Sequence, residues 1–321
     1  MKSAPLTEDR VRRMIRLAVL IVSISLPAAT CSNSDSVGVR GGATRTLLTD
    51  DPFPYYRVAR VDLFIVSVSA SIAPDTAGSA NGFVTLATPN RSVNVLALQN
   101  GLTDELGTAD LRSGAITAVR MIIDTDRSSI TLKSGAVLTS NSRPGIAWQS
   151  SAGRPVLNAI NFEQMQVPDT GATVVVVVDV GKMFMPSQYL DSTSTDSGFV
   201  FLPELRAADV GRTGSITGTV RAHTLAGPAV EDASLRLYLG DPATPENTWT
   251  TLGTAKTDAN GTFKFSFVTR SAVWAAIPAH ARDVYIVAVD PPVASGLGRK
   301  LIPNLSVTAG TETPTGTVVL P

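Results

Sequence analysis

Side chains that carry out chemistry are scarce in this sequence. It contains a single cysteine, Cys31, and two histidines, His223 and His280. Zinc sites need several such ligands and a Ser-His-Asp triad needs a positioned serine, yet no Gly-x-Ser-x-Gly motif occurs. A mixed site of histidine and carboxylate ligands stays conceivable. We therefore expect no catalytic residues, no metal site and no cofactor.

If the chain were an enzyme of an unfamiliar type, its catalytic groups would have to be carboxylates. Asp124, Asp126 and Asp179 are the ones it would use, and the first two could hold an ion at a strand end, although solvated turn carboxylates are far commoner. Residues 258–261, DANG, resemble part of a calcium loop whose other ligands are absent. Because Asn-Gly is a preferred hairpin pair, a turn is the better interpretation.

Tryptophans offer a further kind of binding chemistry. Trp148 and Trp249 lie in polar, loop-like stretches, where an exposed indole ring can stack on a ligand. They are weak candidate ligand-binding residues, and they are the basis for an alternative function as a carbohydrate-binding or adhesin-like surface module.

Length and charge limit the classes of protein to consider. A chain of 321 residues exceeds the usual length of one domain, so two domains are expected. The hydrophobic fraction is 44% and the charged fraction 17%, which favours a folded chain over a disordered one. The formal net charge is +0, so no basic excess indicates nucleic acid as a partner.

The N-terminus has the pattern of an export signal. Four arginines precede an apolar run over residues 17–29, which matches a signal-peptide core and is short for a membrane-spanning helix. We predict a signal peptide over residues 1–30. Translation from Met14 is an alternative to Met1, because it would give a more typical leader.

The apolar run ends in residues 26–31, LPAATC. Small residues before a lone cysteine resemble the lipobox of bacterial lipoproteins, which implies a diacylglyceryl group on Cys31 and cleavage just before it. Ala28 and Thr30 depart from the residues usual at those positions. Two alternatives stay open: a secreted protein cleaved near Ala29, and an uncleaved anchor.

Residues 31–45 are polar and rich in glycine, which predicts a flexible tether after the cysteine. Ser32 in place of Asp resembles the sorting signal of outer-membrane lipoproteins. We expect the protein in the cell envelope, held to a membrane by its lipid, with an unknown envelope protein or a glycan as partner.

From Leu47 onward, short β-rich runs alternate with turn clusters. This pattern predicts an all-β fold of two antiparallel β-sandwich domains in tandem. Residues 118–124 and 129–133 are predicted as separate strands joined by a turn at residues 126–128. Residues 174–178 are five consecutive valines, typical of a strand buried on both faces.

Several motifs of this first part resemble one family in their order. Residues 48–53 (LTDDPF) look like its opening segment, residues 94–101 (NVLALQNG) predict a short helix, and residues 201–206 (FLPELR) close the match. They resemble the domain-of-unknown-function family 4382 of bacterial envelope lipoproteins over about residues 46–210, with Asp51 where Ala is usual. The resemblance implies a fold and a location, but no activity.

A break at residues 211–213 predicts a second domain over residues 211–321. Within it, an Asn-Gly turn should precede a strand whose Phe263, Phe265 and Phe267 share one face.

This second part resembles the carboxypeptidase regulatory-like, or transthyretin-like, β-sandwich over about residues 214–320. Residues 218–220 (GTV) and 257–265 (TDANGTFKF) fill its first-strand and hairpin motifs, while Asp283 replaces a usual Gly. The resemblance implies an accessory module without chemistry of its own. The whole sequence predicts a non-enzymatic envelope lipoprotein with a binding or structural role.

Overall fold

Strands account for most of the residues that the structure describes. The computed structural model describes residues 41–50, 57–73, 82–148, 153–160, 164–190 and 198–321. Cys31, the predicted signal peptide and residues 31–40 of the predicted tether lie outside the described residues. All described residues belong to one compact unit.

The chain up to residue 210 is called the first region. Its strands are β1 (Gly41–Asp50), β2 (Val58–Ala73), β3 (Val84–Ala87), β4 (Arg91–Asn94), β5 (Asp104–Arg112), β6 (Gly114–Leu132), β7 (Val137–Leu138), β8 (Ile146–Trp148), β9 (Val156–Ile160), β10 (Met165–Val167), β11 (Thr173–Val178), β12 (Phe184–Pro186), β13 (Phe199–Phe201) and β14 (Leu205–Asp209). Its short helices are Val95–Leu98, Val180–Met183 and Ser187–Leu190.

The chain from residue 211 is called the second region. Its strands are β15 (Thr213–Ala222), β16 (Ser234–Gly240), β17 (Thr250–Lys256), β18 (Thr262–Thr269), β19 (Val284–Asp290), β20 (Lys300–Leu305) and β21 (Glu312–Leu320). A helical turn, Val210–Arg212, joins the two regions, and the other short helices are Glu246–Thr248, Ser271–Ala275, Pro278–His280 and Val293–Ser295.

The large sheet of the first region bends until its ends approach each other. Its order is β3-β2-β6-β9-β14-β11-β1-β5. At the closing ends, Arg91 Nη1 lies 2.8 Å from Asp104 Oδ2, and a Cβ added at Gly107 would lie 3.1 Å from the Ala87 Cβ. The sheet thereby encloses a core that contains the predicted short helix around Val95.

The second region is a β-sandwich. Its two sheets have the orders β18-β15-β21 and β17-β16-β19-β20, and its core includes Leu235, Leu237, Phe263, Phe265 and Tyr285. The predicted all-β fold is confirmed. The sheets are mixed rather than purely antiparallel, since β1 runs parallel to β11 and β15 runs parallel to β21.

Two local expectations differ from the structure. Residues 41–45, expected in the tether, begin β1 and pair with β5. The turn expected at residues 126–128 is instead a bulge inside β6, because both halves of β6 pair with β2. The Ser128 hydroxyl spans this bulge: it donates to the Asp124 carbonyl and accepts the Phe64 N–H.

Phe267 does not share the face of Phe263 and Phe265. A bulge in the β15–β18 pairing places one extra residue in β18, and Phe267 has φ +54°. An extra residue reverses which positions face the core. Val268 therefore joins the core of the second region, while Phe267 faces the first region.

Candidate functional site

The carboxylates at the β6 bulge are engaged in local structure. Asp124 is buried, and its Oδ2 lies 3.3 Å from Arg154 Nη2. Its Oδ1 accepts the Asp126 N–H at 3.2 Å, and Asp126 Oδ1 accepts the Ser140 hydroxyl at 3.2 Å. Within the described ranges, no three His, Cys, Asp or Glu side chains cluster as metal ligands do.

Asp179 lies elsewhere, where the two regions meet. Its Oδ1 accepts the Lys182 N–H at 3.0 Å and so caps the helix Val180–Met183. Burial raises the pKa of the Asp179 carboxyl above its ordinary value, and the Lys182 ammonium offsets only part of that rise. Buried ion-pair networks perturb a pKa as active sites do, so this shift alone assigns no catalysis.

Lys182 joins the two regions through its ammonium group. Its Nζ lies 3.1 Å from Glu204 Oε1 and 3.6 Å from Asp179 Oδ2. It also donates to the carbonyl oxygen of Thr251 in the second region at 3.3 Å. A cavity of about 150 Å³ lies among these residues, with Arg206 as a second cation in its lining, so the junction is a cleft that contains charged groups of both signs.

An apolar contact lies beside this cleft. Phe267 of the second region packs on Leu47, Val175 and Val177, and Arg206 Nη1 donates to the Phe267 carbonyl oxygen at 2.8 Å. The prediction that the valine strand is buried on both faces is confirmed. Its second face is covered by the second region.

Trp249 supports a loop of the second region. Its ring centroid lies 5.7 Å from that of Tyr238, and its Nε1 donates to the Asp241 carbonyl oxygen at 3.0 Å. A Cβ at Gly240 would lie 2.3 Å from the indole ring. This half-buried ring therefore packs onto its own domain.

Trp148 ends a row of aromatic rings across the small sheet β12-β13-β8. Trp148 pairs in register with Phe201, and Phe201 pairs with Phe184. The ring centroids are 4.7 Å apart for Trp148 and Phe201 and 5.3 Å apart for Phe201 and Phe184. The two phenylalanines are buried and Trp148 is half-buried, so the row runs from the core toward the surface.

Trp148 also lines a cavity of about 400 Å³. The cavity lies along β8, and its polar lining side chains are Ser140, Arg143 and Ser187. Trp148, one of the two tryptophans predicted from the sequence, lies at this opening. We take this opening, called the Trp148 cavity, as the candidate binding site.

The histidines and the Asn-Gly turn have structural surroundings. His280 Nδ1 lies 2.6 Å from Asp283 Oδ2, while His223 is an exposed turn residue with φ +61°. Asp258 Oδ1 accepts the N–H groups of Asn260 at 2.9 Å and Thr262 at 2.8 Å. These hydrogen bonds lower the pKa of Asp258, and the bond from the Thr262 N–H has the largest effect. Their geometry fits the predicted turn.

The sequence did not indicate a functional role for three groups of the junction and three groups of the cavity. Lys182, Glu204 and Arg206 look like ordinary surface charges in their own segments. The cavity residues come from separate segments that only the fold brings together, so local pattern does not reveal them. The three cavity residues are Ser140, Arg143 and Ser187, and the three junction residues are Lys182, Glu204 and Arg206.

A family model matches the first region. Residues 42–190 match the domain of unknown function DUF4382, in agreement with the resemblance found from the sequence motifs. No curated protein matches the chain significantly. Among the described residues, no helix has the length and apolar character needed to cross a membrane.

Solved structures show only weak similarity. The chain is 10% identical to the shaft pilin SpaA of Lactobacillus rhamnosus GG, with 87% of this chain and 97% of that one covered and a TM-score of 0.23. The chain is 8% identical to GBS52, the minor pilin of Streptococcus agalactiae, with 86% of this chain and 95% of that one covered and a TM-score of 0.22. The chain is 16% identical to a 9R-lipoxygenase of Cyanothece PCC8801, with 35% of this chain and 17% of that one covered and a TM-score of 0.21. The chain therefore spans about a sixth of the length of that enzyme. Similarities of this size do not bear on function.

Proposed function

We propose that this chain is a non-enzymatic lipoprotein of the bacterial cell envelope, anchored through Cys31, whose two β regions act as one rigid body in binding or structural contact. The junction is the observation that supports this role. Lys182 bonds across it to Thr251, and Phe267 covers the outer valines of the first region.

The composition of this junction suits a rigid spacer better than a hinge. Apolar packing and charge-assisted hydrogen bonds lie side by side there, and both are lost if the regions separate. A carbonyl oxygen bonded to Arg206 fixes the backbone of the β18 bulge as well. A body of this kind holds the surfaces of its two regions in a fixed geometry relative to each other.

The engagement of the carboxylates supports a role without catalysis. Asp124 pairs with Arg154, and Asp179 caps a helix beside Lys182. A general acid or base must reach a substrate proton, whereas these groups are occupied by the protein itself. The second region then serves as an accessory sandwich, in line with its resemblance to the carboxypeptidase regulatory-like module.

A second candidate function, glycan recognition at the envelope surface, is favoured by the Trp148 cavity. Aromatic rings at ligand sites supply a rigid apolar plane with few rotatable bonds. Trp148 lines the cavity and is braced by Phe201 from behind.

The anchored role is tested by labelling and fractionation. The full chain, produced in a Gram-negative host fed with radiolabelled palmitate, should carry label and sediment with membranes. Cys31→Ser should lose both properties, while the neighbouring change Ser36→Ala should lose neither. A wild-type protein that is exported without label and remains in the soluble fraction contradicts the anchor.

A further inference from the structure

We propose that the Trp148 cavity is a binding site for an acidic saccharide, with Trp148 as the stacking plane and Arg143 as the partner of the ligand's carboxylate. The inference rests on the glycan-recognition candidate and adds the chemical class of the ligand. Its volume of about 400 Å³ falls within the range of about 300–1,000 Å³ common for ligand sites.

The first step concerns the rigidity of the stacking plane. Trp148 lies 5.8 Å from Phe184 and 4.7 Å from Phe201 between ring centroids. Both phenylalanines belong to the core, so the indole cannot turn away without disturbing it. A ring held in place loses little conformational entropy when a ligand binds.

The second step concerns the hydroxyl groups. Ser140 donates its proton to Asp126 Oδ1 at 3.2 Å, and Ser187 donates to the carbonyl oxygen of Gly198 at 3.1 Å. A hydroxyl whose proton is committed presents its oxygen as an acceptor. The ligand must therefore offer donors to the Ser140 oxygen, as sugar hydroxyl groups do.

The third step concerns charge. Arg143 is exposed, and its Nη1 donates to the Ser142 carbonyl oxygen at 3.0 Å. Across the described ranges, no carboxylate lies within ion-pair distance of Arg143, whereas Arg91, Arg154 and Arg299 each have one. A guanidinium binds a carboxylate through two parallel hydrogen bonds, and such charged bonds are about twice as strong as neutral ones.

The three features select one kind of ligand. A fixed indole plane suits the C–H face of a sugar ring, a hydroxyl oxygen accepts a proton from a sugar hydroxyl, and the guanidinium takes an acidic group. Asp126 does not line the cavity, and its Oδ1 accepts the Ser140 hydroxyl. A neutral glycan would leave Arg143 without a partner.

The test is calorimetric titration of the purified full chain in a sugar-free detergent. The acidic probes are sialyllactose and a galacturonan tetramer, and their neutral counterparts are lactose and a galactan tetramer. We expect at least one acidic probe to bind with a Kd at or below about 1 mM, and its neutral counterpart to bind at least about 10-fold more weakly.

Variants assign the binding to this cavity. Arg143→Gln should weaken the acidic probe about 10-fold or more, while Arg282→Gln, an exposed arginine of the second region, should change nothing. Trp148→Phe, which keeps an aromatic ring in the row, should weaken all probes that bind. Trp249→Phe, its matched control, should not.

Two results overturn the proposal. One is an absence of binding by every acidic probe up to about 5 mM in a protein shown to be folded by circular dichroism. The other is binding that Arg143→Gln leaves unchanged. Because the titration uses purified protein, its outcome is independent of the labelling experiment, so an error in the anchor and an error in the ligand are told apart.

Discussion

Asp179 is the residue at which burial and charge oppose each other most directly. Its carboxyl is 7% exposed, and its nearest cation is Lys182 at 3.6 Å. Burial disfavours the charged form and the cation favours it, with burial dominant, so the pKa rises. The Asp179 carboxylate also accepts a hydrogen bond from the Lys182 N–H and thereby caps the end of a helix.

A raised pKa makes the stability of this site depend on pH. Above about pH 4, the ordinary range of an aspartate, the folded chain holds the Asp179 proton more tightly than the unfolded chain. The contribution of Asp179 to stability is therefore present at lower pH and is lost as pH rises through the raised value. Asp179→Asn keeps a capping oxygen and removes the titration.

Urea unfolding at a series of pH values checks this prediction. The stability of Asp179→Asn relative to wild type should increase as pH rises from about 4 to 7. Other titrating groups are common to both proteins and cancel in the difference. A flat difference would show that Lys182 balances burial at this site, and a difference that decreases with pH would show that Lys182 outweighs burial.

At the scale of elements, bulges decide where side chains point. The β18 bulge directs Phe267 to the junction, and the β6 bulge holds Asp124 and Ser128 within one long strand. In β18 the sequence pattern continues through the bulge without a visible break, whereas in β6 residues 126–128 look like a turn between two strands. A strand read by alternation alone therefore assigns the residues beyond the bulge to the wrong face.

The hairpin between β17 and β18 depends on Gly261. Its φ is +74°, and a Cβ there would lie 2.4 Å from the Val220 carbonyl oxygen. Gly310 has a similar φ of +69° with nothing within 4 Å of an added Cβ. Gly310→Ala should cost about 1 kcal/mol from backbone strain alone, and Gly261→Ala should cost roughly 3 kcal/mol or more because crowding is added.

Chemical denaturation of the two variants measures this difference. Equal costs at Gly261 and Gly310 would mean that the hairpin shifts to admit the methyl group, and that its close approach to β15 is not needed for stability.

At the scale of the whole molecule, two cores are coupled through one junction. The first core surrounds residues such as Met121 and the second surrounds residues such as Tyr285. Phe267, Lys182 and Arg206 are among the side chains that reach from one region to the other. Coupling of this kind predicts that the regions unfold together.

Differential scanning calorimetry tests the coupling. The wild-type protein should show one transition with equal calorimetric and van't Hoff enthalpies. Phe267→Ala should cost roughly 1–3 kcal/mol, since this ring is only half-buried, and the double variant with Lys182→Met should show two transitions.

Lys256→Met, which removes an ion pair inside the second region, is the matched control and should keep one transition. Two transitions in the wild type would contradict a rigid body.

The sequence by itself determined the features that depend on local pattern. Alternation of apolar residues predicted the β-strands, the valine run predicted a strand buried on both faces, and Asn-Gly predicted the hairpin at residue 261. Motif order also predicted a similarity to the domain of unknown function DUF4382, whose family model matches residues 42–190. The strands, the valine run and the hairpin each depend on residues within a few positions of one another, so local physics specifies them.

Only the tertiary structure decided what lies next to what. It separated Trp148, which lines a cavity, from Trp249, which braces a loop, although both occur in similar polar stretches. It also brought Lys182 to Thr251 and turned Phe267 toward the first region. The physical reason is that these contacts join residues distant in sequence, and their geometry depends on strand register and bulges that alternation alone does not reveal.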